Sequence, residues 1–332
     1  MLAVLAERIE KSWYQQPWFN IWLLPLSLLF FIISHLRRII LTRVNPAKPV
    51  SDIPVVVIGN IAVGGTGKTP LTCTLVDLLA QQGIKVGIIS RGYGSKAPHY
   101  PFLVTGRESA DISGDEPKLL AQRLGCPVVI GSDRNRSILM LSQHHDVDLI
   151  LCDDGLQNYA MHRDYEFVVI DAKRQLGNGW LLPAGPLREG AWRLKTVDQL
   201  LINGDSNSML IEAECWVNAK TGVEQPLDYF SEVSELKAVC GIGNPQRFWD
   251  TLVSLGVKAD QKSFVDHHAF SADDLPQGTV LMTEKDWVKC IDFATQEHWY
   301  LKVRAKLQKE LQQKIVNELV VLASSRKKKQ GI

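Results

Sequence analysis

Apolar residues in this chain are spaced in two ways. Short runs rich in Val and Ile recur at 53–58, 84–89, 126–130, 147–152, 166–170 and 197–202. Runs of this length and β-branched content predict strands buried on both faces. Between several of them the spacing lengthens to that of a helix, as at Leu71, Leu75, Leu78 and Leu79. Strands alternating with helices predict a mostly parallel sheet with helices on both faces, its ligand-bearing loops at the carboxyl ends of the strands. The rhythm weakens after Gly204, Asp205, Ser206 and Asn207, and residues 206–235 read as a β-rich connector. A smaller α/β domain is expected over 236–332, with strands at 238–242, 279–283 and 299–303 and a helix at 245–255. Residues 46–205 then form the first and larger domain, entered through the linker Asn45, Pro46, Ala47, Lys48, Pro49.

The first 45 residues follow a third pattern. No Asp, Glu, Lys or Arg occurs from Ser12 to Leu36, and ten of the residues 21–33 are Leu, Ile or Phe. On an insertion scale those ten contribute roughly −3 to −6 kcal/mol, an upper bound set at the bilayer centre. Trp13, Tyr14, Trp18 and Trp22 lie to one side of the run, and Arg37, Arg38 and Arg43 to the other. That arrangement matches an interfacial aromatic belt and a cytoplasmic basic flank. Glu7 and Glu10 precede the run and no small-residue cleavage site follows it, which disfavours a signal peptide. The segment is expected to attach the protein to a membrane, by spanning it or by lying in its interface, with Pro25 kinking the helix. A helix packed on the protein's own core, or a dimer contact, is the competing reading.

Composition adds little that is unusual. Of the 332 residues, 45% are hydrophobic and 22% charged, and the net charge of +1 calls for no nucleic acid. Six cysteines, without a Cys-x-x-Cys pair, read as reduced thiols. Arg326, Lys327, Lys328 and Lys329 make a basic tail, solvated or weakly attracted to anionic lipid. No obligatory protein partner is evident.

Chemistry enters with Ala62, Val63, Gly64, Gly65, Thr66, Gly67, Lys68 and Thr69, set between a strand-like run and a helical pattern. This is the context of a phosphate-binding loop, in which backbone N–H groups and a helix start converge on phosphate oxygens. Lys68 is placed for the β- and γ-phosphates and Thr69 for Mg²⁺, while Ala62 replaces the usual first glycine. The run 147–152 ends in Asp153 and Asp154, oxygen ligands suited to a hard cation beside those phosphates. Acids capping a strand end are the plainer alternative. Arg91, Gly92, Tyr93 and Gly94 follow another strand and by themselves read as a turn. Gly114, Asp115, Glu116 and Pro117 open a helix, so Asp115 is either an N-cap or a catalytic acid. Asp266, His267 and His268 do not suit a two-histidine metal site, because adjacent residues do not share a helix face. The rigid stretch from Leu182 to Glu189 brings a guanidinium, Arg188, to its end.

These blocks occur in one order, together with Asp153-Asp-Gly-Leu-Gln157 and Thr283-Glu-Lys-Asp286. The chain resembles the tetraacyldisaccharide 4'-kinase family of lipid A biosynthesis, from the apolar N-terminal segment to at least Lys289. The resemblance implies a P-loop NTPase-like fold, with ATP and Mg²⁺ as cofactors. It also implies transfer of the γ-phosphate to the 4'-hydroxyl of a lipid-linked disaccharide 1-phosphate, at the cytoplasmic face of a bacterial inner membrane. It places Val63, Gly64, Gly65, Thr66, Gly67, Lys68, Thr69 and Gln157 on ATP, and Thr69, Asp153, Asp154 and Glu116 on the metal. Asp115 and His267, with His268 the second choice, form the implied catalytic dyad beside Lys68. Arg91, Tyr93, Arg188 and Glu189 are implied on the acceptor. A membrane-tethered ATPase or GTPase switch is the rival reading. Related ATPases carry a lysine where Val63 stands, and GTPases need Asn/Thr-Lys-x-Asp where this chain has Thr283-Glu-Lys-Asp286.

Overall fold

The computed structural model describes residues 9–10, 12–14 and 17–329. Glu7 and the side chains of Trp18, Arg326, Lys327, Lys328 and Lys329 lie outside the described residues. The first half of the chain alternates β1 (Val55–Gly59), α2 (Lys68–Gln81), β2 (Val86–Ser90), β3 (Phe102–Val104) and α3 (Asp115–Arg123). There follow β4 (Val128–Ile130), α4 (Arg134–His144), β5 (Leu149–Asp153), β6 (Tyr165–Asp171) and β7 (Gln199–Asn203). The N-terminal helix α1 spans Leu24–Ile39. The second half carries β8 (Met209–Asn218), β9 (Glu224–Gln225), β10 (Leu236–Cys240), α5 (Pro245–Ser254) and β11 (Ala259–Ser263). It closes with β12 (Val280–Thr283), α6 (Glu284–Cys290), β13 (His298–Leu307) and α7 (Lys309–Lys329).

All these strands join one sheet, in the order β11-β10-β12-β13-β8-β7-β6-β1-β5-β2-β4-β3, with β9 beside β8. Pairing from β7 to β4 is parallel, as is that from β11 to β13; β3 on β4 and β13 on β8 are antiparallel. The α/β class with a mostly parallel sheet is therefore the observed architecture. Every residue of β1 and β5 is buried, which is why their sequences are apolar without alternation. One face packs Val56 and Ile58 on Leu71, Leu75 and Leu79 of α2 and on Ile315 and Leu319 of α7. The other packs Val55 and Val57 on Ile138 and Leu141 of α4. In the second half, Phe248, Trp249 and Leu252 of α5 cover Ala238 and Cys240.

The two parts of the sheet touch narrowly. Between β7 and β8 only Asn203 and Met209 pair. Two further ties reinforce that seam. Thr74 of α2 donates to the Ala305 carbonyl at 2.9 Å and accepts from its N–H at 3.1 Å. Arg123 of α3 reaches Glu284 of α6 at 2.7 Å and the Val303 carbonyl at 2.8 Å, with Glu214 at 3.6 Å.

Helix α1 follows a turn of tighter helix at Pro17–Leu23 and runs into a wider turn at Ile40–Val44. Pro25 does not kink it: the residue lies in the first turn, where a missing N–H costs nothing. The segment Asn20–Val44 is the one stretch among the described residues long and apolar enough to cross a membrane. It docks through few polar contacts. Ser27 Oγ donates to the Leu181 carbonyl at 2.9 Å and accepts from Ala184 N at 3.0 Å, and Trp13 Nε1 donates to the Pro183 carbonyl at 3.0 Å. Trp22, Leu28 and Ile33 remain exposed. The cysteines are free, with Cys73, Cys152, Cys240 and Cys290 buried.

Removing one side of the Arg123–Glu284 pair leaves a buried guanidinium short of its closest partner. Glu284→Ala is expected to destabilise the protein by about 3 kcal/mol, read as a clear fall in the thermal midpoint. An unchanged midpoint would show that the pair does not tie the two parts together.

Candidate active site

The loop between β1 and α2 is braced from outside itself. Gly64 and Gly67 have φ of 103° and 98°, a region that costs other residues about 1–3 kcal/mol. Asn60 Nδ2 lies 3.3 Å from the Gly64 carbonyl and 3.4 Å from Thr66 Oγ1, and Asn203 Nδ2 donates to the Thr66 carbonyl at 2.9 Å. Arg174 donates to the Gly65 carbonyl at 2.5 Å. The loop carbonyls are thus occupied, and residues 63–69 line a cleft at the positive end of α2. The Val63 N–H is taken by the Pro186 carbonyl at 2.9 Å, so Val63 frames the loop instead of adding a free donor.

Strand β5 delivers the two acids. Asp154, at φ 50°, faces Lys68 Nζ at 3.4 Å and Arg188 Nη1 at 3.3 Å. Burial works to raise its carboxyl, but Lys68 and Arg188 outweigh that and hold it below its ordinary value. Burial, with the Glu116 carboxylate adding to it, pushes Asp153 up to about 7. Neither Asp153 oxygen has a hydrogen-bond partner among the described residues. A buried carboxyl so placed is costly unless a ligand supplies charge. Asp153, Asp154 and the Thr69 hydroxyl are hard oxygen donors beside a phosphate loop, and so fit Mg²⁺. No group of three or more His, Cys, Asp or Glu side chains forms a metal cage among the described residues. A magnesium ion shared with nucleotide phosphates needs only one or two carboxylates.

The start of α3 and the loop after β11 converge from opposite halves of the chain. Asp115 Oδ2 accepts from His267 Nδ1 at 2.9 Å. His267 sits at φ 59°, with the Tyr93 ring 5.2 Å from its own. Lys285, at the start of α6, reaches Glu116 at 3.0 Å, Asp266 at 3.6 Å and Asp115 at 3.8 Å. Burial would raise the Asp115 carboxyl, but the His267 hydrogen bond and Lys285 bring it down to about 2. The same hydrogen bond raises His267, against burial and Lys285. His268 turns away, to Asp274 at 3.2 Å and onto the Phe264 ring. Gly243, after β10, closes on the phosphate loop: a Cβ there would stand 3.4 Å from Gly65 N.

One cleft of about 1410 Å³ is lined by Lys68, Thr69, Arg91, Tyr93, Asp115, Glu116, Asp154, Gln157, Arg188, Glu189 and His267. Asp153 lies buried behind it. Gln157 and Glu189 are bound to each other: Gln157 Nε2 donates to Glu189 Oε1 at 2.9 Å and to the Asn60 carbonyl at 3.0 Å, and Tyr159 donates to Glu189 Oε2. Sequence reasoning gave no role to Asn60, Asn203, Arg174 or Lys285. Only Lys285 stood in a recognisable block, and its partners Asp115 and Glu116 are more than 100 residues away in sequence.

Comparison with known proteins decides the family. Residues 19–320 match the family described as tetraacyldisaccharide-1-P 4'-kinase. The chain belongs to that family. It is 42% identical to the tetraacyldisaccharide 4'-kinase of Tolumonas auensis over 94% of this chain and 97% of the relative. Identity to the Actinobacillus pleuropneumoniae kinase is 46%, over 87% and 92% of the two chains. A crystal structure of Aquifex aeolicus LpxK in complex with ATP superposes with a TM-score of 0.77 at 29% identity, covering 92% of this chain and 99% of that one. By family the protein is a lipid A biosynthesis kinase, a phosphotransferase acting on a hydroxyl group, with ATP as its nucleotide.

Gly67→Ala tests the phosphate loop. Its Cβ would stand 2.7 Å from Asn203 Nδ2 at φ 98°. The variant is expected to lose about tenfold or more in calorimetric ATP affinity, roughly 1.4 kcal/mol, with its far-ultraviolet dichroism unchanged. Undiminished affinity would remove the loop from nucleotide binding.

Proposed function

We propose that the protein transfers the γ-phosphate of ATP to the 4'-hydroxyl of a tetraacyldisaccharide 1-phosphate, with Asp115 and His267 as the catalytic pair. The observation that carries this reading is the 2.9 Å contact between them in the cleft that also holds Lys68. The Asp115 carboxylate accepts from Nδ1, so the proton sits there and His267 Nε2 is left to take one. A sugar hydroxyl is a poor nucleophile at neutral pH, and a positioned imidazole that receives its proton during transfer contributes about 10²–10⁴-fold. Asp115 orients the ring and stabilises its cationic form.

Phosphoryl transfer otherwise depends on alignment and on neutralised charge. Residues 64–68 would hold the triphosphate, with the Lys68 ammonium between Asp154 and the terminal phosphates. Asp153, Asp154 and Thr69 would hold Mg²⁺, which when bound offsets the charge of the β- and γ-phosphate oxygens. Glu116 faces the same space, held on Lys285. Arg91, Tyr93, Arg188 and Glu189, which line the cleft, would face the acceptor. Residues 46–205, with α7 packed on them, and residues 236–307 would shelter the sugar between them and keep water from the phosphate. The apolar α1 would attach the enzyme to the bacterial inner membrane, with both domains on the cytoplasmic side. An acceptor that stays in the bilayer is then met in two dimensions.

Incubation with labelled ATP and the disaccharide 1-phosphate lipid should yield a new phosphate ester at the 4' position; phosphate release as inorganic phosphate alone would contradict the kinase reading. Asp115→Asn is expected to keep ATP binding while kcat falls at least about 10²-fold. Activity requires the neutral imidazole, so it is lost as pH falls through the raised His267 value. Without the Asp115 carboxylate that acid limb should move to lower pH. An unshifted limb and normal turnover would reject the pair.

Deleting residues 1–36 should move the protein from the membrane to the soluble fraction. Retention in the membrane fraction would assign attachment to another surface.

A further inference from the structure

A cation in the cleft is held by aromatic rings and pairs with no carboxylate among the described residues. Arg38, in the last turn of α1, lines the same cavity as Lys68. Its guanidinium carbon lies 3.9 Å above the Trp192 ring and 5.4 Å from that of Tyr159. Its Nε is buried without a hydrogen-bond partner, and no carboxylate pairs with it among the described residues. The acids of this region are already engaged. Glu166 is held by Arg163 and Arg193, and Glu189 by Arg193, Gln157 and Tyr159. The aromatic shelf is also built. A Cβ on Gly190 would stand 2.7 Å from Trp192 Nε1, so the edge of the indole packs against a backbone that only glycine leaves clear.

A guanidinium stacked on an indole is fixed in plane, with its N–H edge free for a planar or tetrahedral oxyanion. Such a fork binds phosphate bidentately, as it binds carboxylate. The family's acceptor carries one phosphate that takes no part in the transfer, at position 1, on the sugar remote from the reacting hydroxyl. Arg38 lines the same cleft as Asp115, His267 and Lys68.

We propose that Arg38, stacked on Trp192, binds the 1-phosphate of the acceptor and so selects a phosphorylated disaccharide and sets its direction in the cleft. This rests on the kinase reading above. A phosphate on Arg38 could also come from a bilayer headgroup, and the experiment separates the two sources.

Turnover is measured in mixed micelles for the wild-type protein, Arg38→Lys and Arg38→Gln. The two acceptors are the disaccharide 1-phosphate lipid and the same lipid with a free 1-hydroxyl. Wild type should favour the phosphorylated acceptor at least tenfold in kcat/KM. Arg38→Gln should lose at least tenfold on that acceptor, chiefly in KM, and less than twofold on the other, so that the preference collapses. Arg38→Lys should fall between them, because an ammonium keeps the charge but not the fork. Binding of Arg38→Gln to phosphatidylglycerol vesicles should match wild type.

Equal losses on both acceptors would make Arg38 a structural or anchoring residue and overturn the proposal. A wild type without preference, or a variant that keeps it, would do the same. Loss of vesicle binding in step with activity would assign the arginine to headgroups. If wild type phosphorylates neither lipid while binding ATP, the kinase reading itself has failed.

Discussion

Asp115 and His267 are 152 residues apart in sequence and 2.9 Å apart in space. No local propensity can bring them together, so much of the molecule can be read as what that contact requires. Asp115 opens a helix in the first half of the sheet; His267 lies on the loop after β11, at the far edge of the second. For the two to meet, the halves must be held at one angle. The sheet does this with a single paired position between β7 and β8, backed by the long antiparallel pair of β8 and β13 and by Thr74 on Ala305. A narrow seam with side-chain ties beside it fixes the geometry while leaving a cleft between the loops.

Buried charge completes that arrangement. Arg123 with Glu284, and Lys285 with Glu116 and Asp115, cross from one half to the other. Such pairs contribute little net stability, since desolvation offsets much of their attraction, but breaking one is costly. Their effect here is to penalise every relative placement of the halves except the one that aligns the site. Asp153 is the exception, with both carboxyl oxygens unpartnered where a nucleotide and its cation would arrive. The protein holds charge in balance across the junction and out of balance at the place where ligands bring their own.

Much of this was legible in the chain. The parallel strands announced themselves because burial on both faces demands unbroken Val and Ile, as at Val55–Gly59. Strands with one open face did not. β11 is Ala-Asp-Gln-Lys-Ser, mostly exposed at the sheet edge, and β3 has only three residues. In β8, Glu212 and Glu214 interrupt the apolar positions, and the segment reads as a connector although it forms the seam. Pro25 looked like a kink only because the helix start could not be seen. The phosphate loop was readable because its function is local. Asp115 and His267 were readable as a pair only through family resemblance. Asn203 and Lys285 act through partners that spacing does not reveal.

The central claim is that carboxylate and imidazole work as one unit across the seam. A double-mutant cycle in kcat, built from Asp115→Asn, His267→Gln and the double variant, tests it most directly. The account predicts strong non-additivity, with the double variant no slower than the slower single one. Losses that multiply, as for two independent groups, would contradict it.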